Sequence, residues 1–298
     1  MIKIIKKPKY ISPTQILTYK HDGEFKYGCP RKYYYKYILR LKQKSKLCFS
    51  IGNIVHHTID EFCKTPLAGD LIIENQVYDS LLEKIVAIFN RRWFAAKSEI
   101  ARFDESPGEI KNTYLKCRLM IRNWFENYYI GVIENYYKCG DWAQAERKAM
   151  PLSELCVFAK SLRLYARIDS VDDKDKLIIT DYKTGNKREL TPEIRLQLAL
   201  CALAYLEKYG RKPDIVRAHF LKFEDGILSL PVTGEMIKQA KDAIKEHEKM
   251  ILSDNKTDYP CVCNNRCKYD FIIPEKNGKE RIYYEDSAKS ETLNWQKG

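Results

Sequence analysis

The sequence predicts an α/β fold: a mixed β-sheet flanked by helices, carrying a helical insertion and a C-terminal cysteine cluster. Three observations carry that expectation. Residues 163–183 alternate apolar and polar side chains on either side of a short polar loop, as the two arms of a hairpin do. A capped helix, two further strand-like runs and an amphipathic helix come after it. Upstream, residues 64 to 140 read as helical throughout, between two stretches of different texture.

The chain has 298 residues, enough for one large domain or two small ones, with 45% hydrophobic and 31% charged residues, so a packed core is expected. Its 52 basic and 40 acidic residues leave a formal charge of +12, which favours a polyanionic partner, most often nucleic acid, over simple solubility. No run of eighteen or more apolar residues exists and the N-terminal apolar segment is too short for a signal peptide, so a cytoplasmic protein without a membrane is expected. Ten scattered cysteines in such a setting point to reduced thiols or metal ligands rather than disulfides.

In chain order, "SPTQILTY" opens with a helix start: Ser12 to cap, Pro13 in the first turn and Gln15 three residues after the cap. "CPRKYYYKYILRLK" interleaves Arg31, Lys32, Lys36, Arg40 and Lys42 with four tyrosines. That mixture can grip phosphates and stack bases, or bury Tyr and Ile while the cations reach water. "FSIGNIVHHTIDEF" reads as a turn into a helix with Val55, Ile59 and Phe62 as its apolar stripe. Val77, Leu81, Ile85, Ile88 and Phe89 mark a long helix over 75–97, and 112–138 marks another, rich in Tyr and Trp.

From about residue 144 the texture changes. Leu164, Ala166 and Ile168 alternate with Arg163, Tyr165, Arg167 and Asp169, a polar turn follows at Asp172–Asp175, and "KLIITDYK" returns. Thr191, Pro192 and Glu193 start the next helix and Gly210 stops it. "IVRAHFLKF" and "ILSLPV" read as strands, "GEMIKQAKDAIKEHEKMIL" as an amphipathic helix, and residues 275–298 as a polar tail.

Residues i and i+2 of a strand share a face, so Asp181 and Lys183 point the same way. Asp169, expected at the end of the partner strand, brings a second carboxylate to the same edge. Carboxylate oxygens suit Mg²⁺ or Mn²⁺, and such an ion beside a lysine can work on a phosphate. Alone, D-x-K is as well explained by a charged strand end. The upstream acid, the Gly turn after the lysine and a helix carrying Gln197 turn it into an ordered set.

That set resembles the RecB-like branch of the PD-(D/E)XK nuclease superfamily, which includes AddB-like and CRISPR-associated exonucleases. "SPTQILTY", "CPRKYYYKYI", "GNIVHHTIDEF", "ARIDSVDD", "IITDYKTG" and "RLQLALCALAY" stand in the family's order, from about residue 11 to 271. The resemblance implies a metal-dependent deoxyribonuclease, a phosphodiester hydrolase. His56, in G-x-x-x-H, would be a metal ligand in preference to His57, together with Asp169 and Asp181. Lys183 would complete the (D/E)-x-K pair, and Gln197 would match the glutamine of Q-x-x-x-Y. The tyrosine of that motif falls at Cys201, with Tyr205 one helical turn later as a partial substitute. Glu146 matches an acidic position that some members carry ahead of the hairpin.

The resemblance also implies a cysteine centre: Cys29, in a C-P-R-like motif, with Cys261, Cys263 and Cys267. The spacing C-x-C-x-x-x-C departs from the usual C-x-x-C, and Asp270 stands where a second Cys is often found. Four thiolates can hold a [4Fe–4S] cluster or Zn²⁺. Cys48, Cys63, Cys117, Cys139, Cys156 and Cys201 have no such grouping and read as ordinary buried or half-buried residues. The expected organisation is one nuclease domain over 1–274, with 64–140 as an insertion roofing the site and 255–274 as the cysteine-rich segment. The expected substrate is single-stranded DNA or DNA ends, degraded as an exonuclease in repair or recombination. The small size and the lack of a P-loop G-x-x-x-x-G-K-[ST] point to a standalone nuclease, one that can still serve as a subunit beside a helicase or recombinase. The rival readings are a structure-specific or double-strand endonuclease and an inactive DNA-binding subunit.

Overall fold

A five-stranded sheet, ordered β1-β2-β3-β4-β5, forms the centre of the computed structural model. The structure describes residues 8–20, 28–65, 76–103, 105–250, 253–274 and 280–282. The strands are β1 (Leu152–Ala159), β2 (Leu164–Asp173), β3 (Leu177–Lys183), β4 (Ile215–Phe220) and β5 (Ile227–Pro231). Only β3 and β4 run parallel; the other neighbours are antiparallel, so the sheet is mixed as the sequence predicts. The parallel pair needs a crossover. Helix α8 (Pro192–Tyr209) supplies it, started by the Thr191 cap and stopped at Gly210, whose φ of 70° suits glycine.

One face of the sheet packs on α8 and α9 (Gly234–Lys249) in a core that includes Ile179, Leu198, Leu203, Val216 and Ile244. Helix α1 (Pro13–Tyr19) joins this layer, and its N-terminus carries the full Ser12–Gln15 capping box. The other face meets α3 (Leu47–Lys64), α4 (Val77–Ala95), a short α5 (Lys97–Ile100), α6 (Pro107–Cys139) and α7 (Trp142–Ala149). Their core runs through Phe62, Leu81, Phe89, Met120, Phe125 and Val132 and reaches the sheet at Tyr182 and Leu221. The buried Trp124 Nε1 donates to Tyr182 Oη at 2.9 Å.

The buried Asn123 Nδ2 donates to the Leu221 carbonyl, also at 2.9 Å. Leu221 N in turn donates to the Lys183 carbonyl at 2.9 Å, so the amide pins the end of β4 beside the end of β3. Asn123→Leu strands that carbonyl and is expected to cost about 1–3 kcal/mol, read as a lower urea midpoint at unchanged slope.

The N- and C-terminal segments meet in a third cluster. Helix α2 (Pro30–Tyr33) runs on into a π turn at Tyr34–Ile38. Tyr33, Tyr34 and Tyr35 are buried there with Tyr259, Cys267 and Phe271, so these rings face a core rather than a nucleic acid. After it, β6 (Ile272–Pro274) pairs antiparallel with β7 (Glu280–Ile282). The rest of the tail expected at 275–298 lies outside the described residues.

Several expectations change. No turn precedes α3: Phe49 to Gly52 are already helical, because three successive turns bury Ile54, Val55, Thr58, Ile59 and Phe62 together. Helix α6 begins earlier than the apolar pattern, at a Ser106–Glu109 capping box. Helical structure continues through α7, past the expected change of texture, and β1 is a strand that the pattern did not announce. Its burial is irregular, with only Val157 and Ala159 fully inside. Cys48 and Cys156 are exposed, not buried.

Candidate active site

Asp169, Asp181, Lys183, Gln197 and His56 all line one cleft of about 410 Å³. Asp169 lies in the middle of β2 rather than at its end. The β2–β3 ladder stops at Ser170↔Thr180, so the next facing residues are Asp169 and Asp181. Pairing gives way where two like charges would stand opposite each other.

Gln197 of α8 closes a triangle with the two charged residues of β3. Its Nε2 donates to Asp181 Oδ1 at 2.7 Å, and its Oε1 accepts from Lys183 Nζ at 2.8 Å. These distances fix the orientation of the amide. Lys183 Nζ also lies 2.7 Å from Asp181 Oδ2, out of hydrogen-bonding alignment, so this buried oxygen keeps no hydrogen-bond partner. Burial raises the Asp181 pKa against the opposing pull of Lys183, and the charge of Asp169 adds to the rise. Burial works to lower the Lys183 pKa, but the Asp181 carboxylate outweighs it and the net shift is upward. Lys183 is therefore an ammonium at neutral pH.

His56 reaches in from α3, with Nδ1 3.4 Å from Asp169 Oδ1 and 3.9 Å from Glu154 Oε1. Burial alone would lower its pKa; its hydrogen bond with Asp169 and the surrounding carboxylates raise it instead. Asp60 accepts from Ser153 Oγ at 2.7 Å and so locks α3 to β1 beside the site. His57 lines a separate cavity of about 300 Å³ with Arg92 and Glu99, which favours His56 over its neighbour as the cleft histidine. The second oxygen of Asp169 accepts from the Tyr182 amide at 2.7 Å.

Glu154 is the residue that sequence reasoning missed. His56, Glu154 and Asp169 each offer a ligand atom, all within 4.8 Å of one another, spacing that a cation can bridge. Glu154 has a φ of 49°, the left-handed region that costs a non-glycine residue of order 1 kcal/mol or more. It faces Asp169 between the pairs Ser153↔Ser170 and Leu155↔Ile168. Opposite it the alternation of β2 fails, and Ile168 to Val171 are buried in a row. Arg167 Nε holds its other oxygen at 2.8 Å. A lone Glu in an unannounced strand gave no signal. Glu146, the acid weighed from sequence, is buried on α7 near Lys84 and Tyr128 and does not line the cleft.

The tyrosine question resolves against Tyr205. Its ring lies 4.6 Å from that of Tyr209, outside the cleft. Cys201 does line the cleft, and burial raises its pKa, so it is a neutral thiol there. The ring at the rim is Tyr165 of β2, beside Arg167. Of the insertion expected to roof the site, none of the described residues from 76 onward lines the cleft. Those helices bury aromatic residues against the back of the sheet, and the front walls come from Ser12–Thr14, His56 and α8.

A second group of ligand atoms lies far from these. The sulfurs of Cys29, Cys261, Cys263 and Cys267 all fall within 4.8 Å of one another. The contacts are 4.0 Å for Cys29–Cys267 and 3.7 Å for Cys261–Cys263, much longer than the roughly 2.05 Å of a disulfide. Asn265 N donates to Cys261 Sγ and Cys267 N to Cys263 Sγ, at 3.1 and 3.3 Å. Asn264 and Asn265 both adopt positive φ, 51° and 63°, to wrap the loop. The hydrogen bond with Cys267 holds the Cys29 thiol down at about 4. Asp270 binds Lys32 at 3.1 Å and Lys46 at 3.0 Å, so it braces this module rather than adding a ligand.

The model of the PD-(D/E)XK nuclease superfamily matches residues 11–270. This chain belongs to that superfamily. Among curated proteins it is 24% identical over 230 residues to a subunit of the ATP-dependent helicase/deoxyribonuclease of Clostridium novyi (strain NT), covering 73% of this chain and 20% of that protein. It is 26% identical over 200 residues to the same-named subunit from Clostridioides difficile (strain 630), covering 60% of this chain and 16% of that one. The chain thus spans about a fifth or less of these relatives. In this PD-(D/E)XK protein the mixed sheet flanked by helices and the C-terminal cysteine cluster agree with the expected fold. No helix among the described residues is long and apolar enough to cross a membrane.

Proposed function

We propose that this chain is a metal-dependent DNA nuclease that hydrolyses phosphodiester bonds, acting as an exonuclease on single-stranded DNA. The observation that carries the reading is the convergence of His56, Asp169, Asp181, Lys183 and Gln197 on one cleft, in a chain of this superfamily. The donor set fits a hard divalent ion: an imidazole, carboxylates, and a buried Asp181 oxygen that lacks a hydrogen-bond partner. His56, Asp169 and Asp181 would hold Mg²⁺ or Mn²⁺, with Glu154 beside them. Bound there, the ion supplies positive charge at the scissile phosphate and lowers the pKa of a water.

The remaining work falls to the chain. Lys183 presents an ammonium to the phosphate oxygens, where charge builds as the attacking oxygen adds. Because Asp181 keeps it protonated, it acts as a fixed charge and donor and not as a base. Gln197 fixes the distance between Lys183 and Asp181, and the Tyr182 amide holds Asp169. At the rim, Tyr165 and Arg167 pair a ring with a guanidinium, a combination that grips a single strand by stacking and by phosphate contact. The formal charge of +12 suits the same substrate. The relatives' names include a helicase, and we read a helicase or recombinase as the partner. We also read residues 1–274 as a single nuclease domain.

The four cysteines would form a structural metal centre tying the N-terminal segment to the C-terminal one. Sulfurs within 4.8 Å approach the edge of about 3.8 Å expected for a tetrahedron of roughly 2.3 Å Zn–S bonds. A [4Fe–4S] cube places each outer ligand on a different iron and needs the sulfurs to spread. This geometry supports Zn²⁺ over the iron–sulfur cluster that the resemblance implies.

End-labelled single-stranded DNA, incubated with Mn²⁺ or Mg²⁺, tests the function. Metal-dependent release of label from one end is expected. Internal cuts in a closed circle would favour an endonuclease, and intact DNA that is nevertheless bound would favour an inactive subunit. Asp181→Asn is expected to abolish cleavage and weaken metal binding; a fully active variant removes the site assignment. Glu154→Gln is expected to weaken Mn²⁺ binding by about tenfold in a calorimetric titration, in the range typical of groups supporting a metal site. Unchanged binding would leave Glu154 as a partner of Arg167 only.

A further inference from the structure

A second cavity, of about 130 Å³, lies behind the sheet between β2, β3, β4 and helix α6. Four polar side-chain atoms of its lining residues are buried without a hydrogen-bond partner: Tyr128 Oη, Asp172 Oδ1, Arg217 Nε and His219 Nε2. His219 is only 3% exposed and Tyr128 only 7%. Left unpaired, such groups cost on the order of 1–3 kcal/mol each, so water or a ligand is expected to meet them; Lys174, which lines the same space, reaches only the other Asp172 oxygen, at 3.1 Å. The strand register builds the group. Thr180 faces Arg217 and Tyr182 faces His219, and the two strands present them side by side.

The unpaired atoms define their complement. Asp172 Oδ1 can only accept, so the occupant must donate. Arg217 Nε can only donate, so the occupant must accept. A bare oxyanion has no proton for Asp172, and a metal ion has no acceptor for Arg217. Burial, with the charge of Arg217, pushes His219 down to about 4, so its imidazole is neutral and adjusts to either role. Trp124 and Tyr128, stacked on each other with ring centroids 5.4 Å apart, both line the space and give it an aromatic side. The volume is several times the roughly 10–15 Å³ that one water needs, and well below the about 300 Å³ at which drug-sized pockets begin.

We propose that this cavity is a binding site for a nucleobase, with guanine the best match. Guanine offers N–H donors on one edge for the carboxylate and the O6 and N7 acceptors on another for arginine. Its plane suits the aromatic wall. The base can come from a free nucleoside or from a nucleotide within a strand. The site stands without the nuclease reading, since none of its four unpaired groups belongs to the front cleft.

Ligand-observed NMR on the protein as isolated, without added Mg²⁺ or Mn²⁺, tests it, with guanosine, adenosine, cytidine and thymidine in separate samples. A second arm compares oligonucleotides of equal length with and without dG. Guanosine, or the dG-containing strand, is expected to show saturation transfer from aromatic protons. Tyr128→Phe, which keeps the ring, is expected to weaken that binding at least fivefold, and Asp172→Asn likewise. Equal binding of all four bases, or binding indifferent to both variants, overturns the proposal. So does a cavity that holds only ordered water with no base bound at millimolar concentration. Circular dichroism confirms that each variant is folded, and Tyr128→Phe alone suffices if Asp172→Asn is not.

Discussion

Lys183→Ala is expected to leave the protein folded and able to bind single-stranded DNA but to lower the proposed cleavage by about 10³-fold or more. Removing one donor aimed at developing charge costs roughly 10²–10³ in rate, and groups that act as a unit lose more. In the proposed mechanism Lys183 is such a group, lying 2.7 Å from Asp181 Oδ2 and 2.8 Å from Gln197 Oε1. Its removal also frees the Asp181 carboxylate, whose raised pKa then loses the opposing pull of the ammonium. The carboxylate is expected to take up a proton more readily, so metal affinity should fall on acidification sooner than in the wild type. Burst and steady-state rates on end-labelled DNA, with binding measured by fluorescence anisotropy, separate the two effects. A rate within tenfold of wild type would remove Lys183 from the chemistry.

Cys267→Ser is expected to have its large effect on stability. The residue is buried, with its sulfur 4.0 Å from that of Cys29 and its amide bonded to Cys263. A hydroxyl is a poor fourth ligand, so the protein is expected to lose its bound metal, seen by elemental analysis. Tm should fall by roughly 5–15 °C, since a structural metal contributes several kcal/mol and each kcal/mol is worth about 2–4 °C in a domain of this size. The visible spectrum of the wild type separates the two candidates: colourless protein with zinc, or a broad brown absorption with iron. Unchanged metal content and Tm in the variant would mean that the four thiols pack without an ion.

Much of this was legible because local chemistry agreed with the fold. The α1 and α8 caps, the β2–β3 hairpin and the stripe Val55, Ile59, Phe62 all carry their period or cap in adjacent residues. The D-x-K pair was legible for the same reason: i and i+2 share a face whatever the sheet does. The misses share a different cause. Strand β1 has an irregular burial pattern because Glu154 takes a left-handed backbone in its middle, and a broken period hides a strand. With β1 hidden, its carboxylate was hidden too, and Glu146 drew attention instead. The placement of the insertion behind the sheet rests on contacts such as Trp124 to Tyr182, 58 residues apart, which no window of sequence contains.

The cysteine module closes a span of 238 residues between Cys29 and Cys267. During synthesis at roughly 5–20 residues per second, the first thiol waits on the order of tens of seconds for its partners. The module therefore cannot be assembled until residue 267 has been made, after the five-stranded sheet and its helices can already have docked. Until then a thiol held down at about 4 by its finished surroundings behaves as an ordinary cysteine. On the proposal that the four thiols hold an ion, its loading waits for Cys267 to be made. A chain cut short before residue 267 would leave Cys29 without the partner whose hydrogen bond most lowers its pKa, however complete its nuclease sheet.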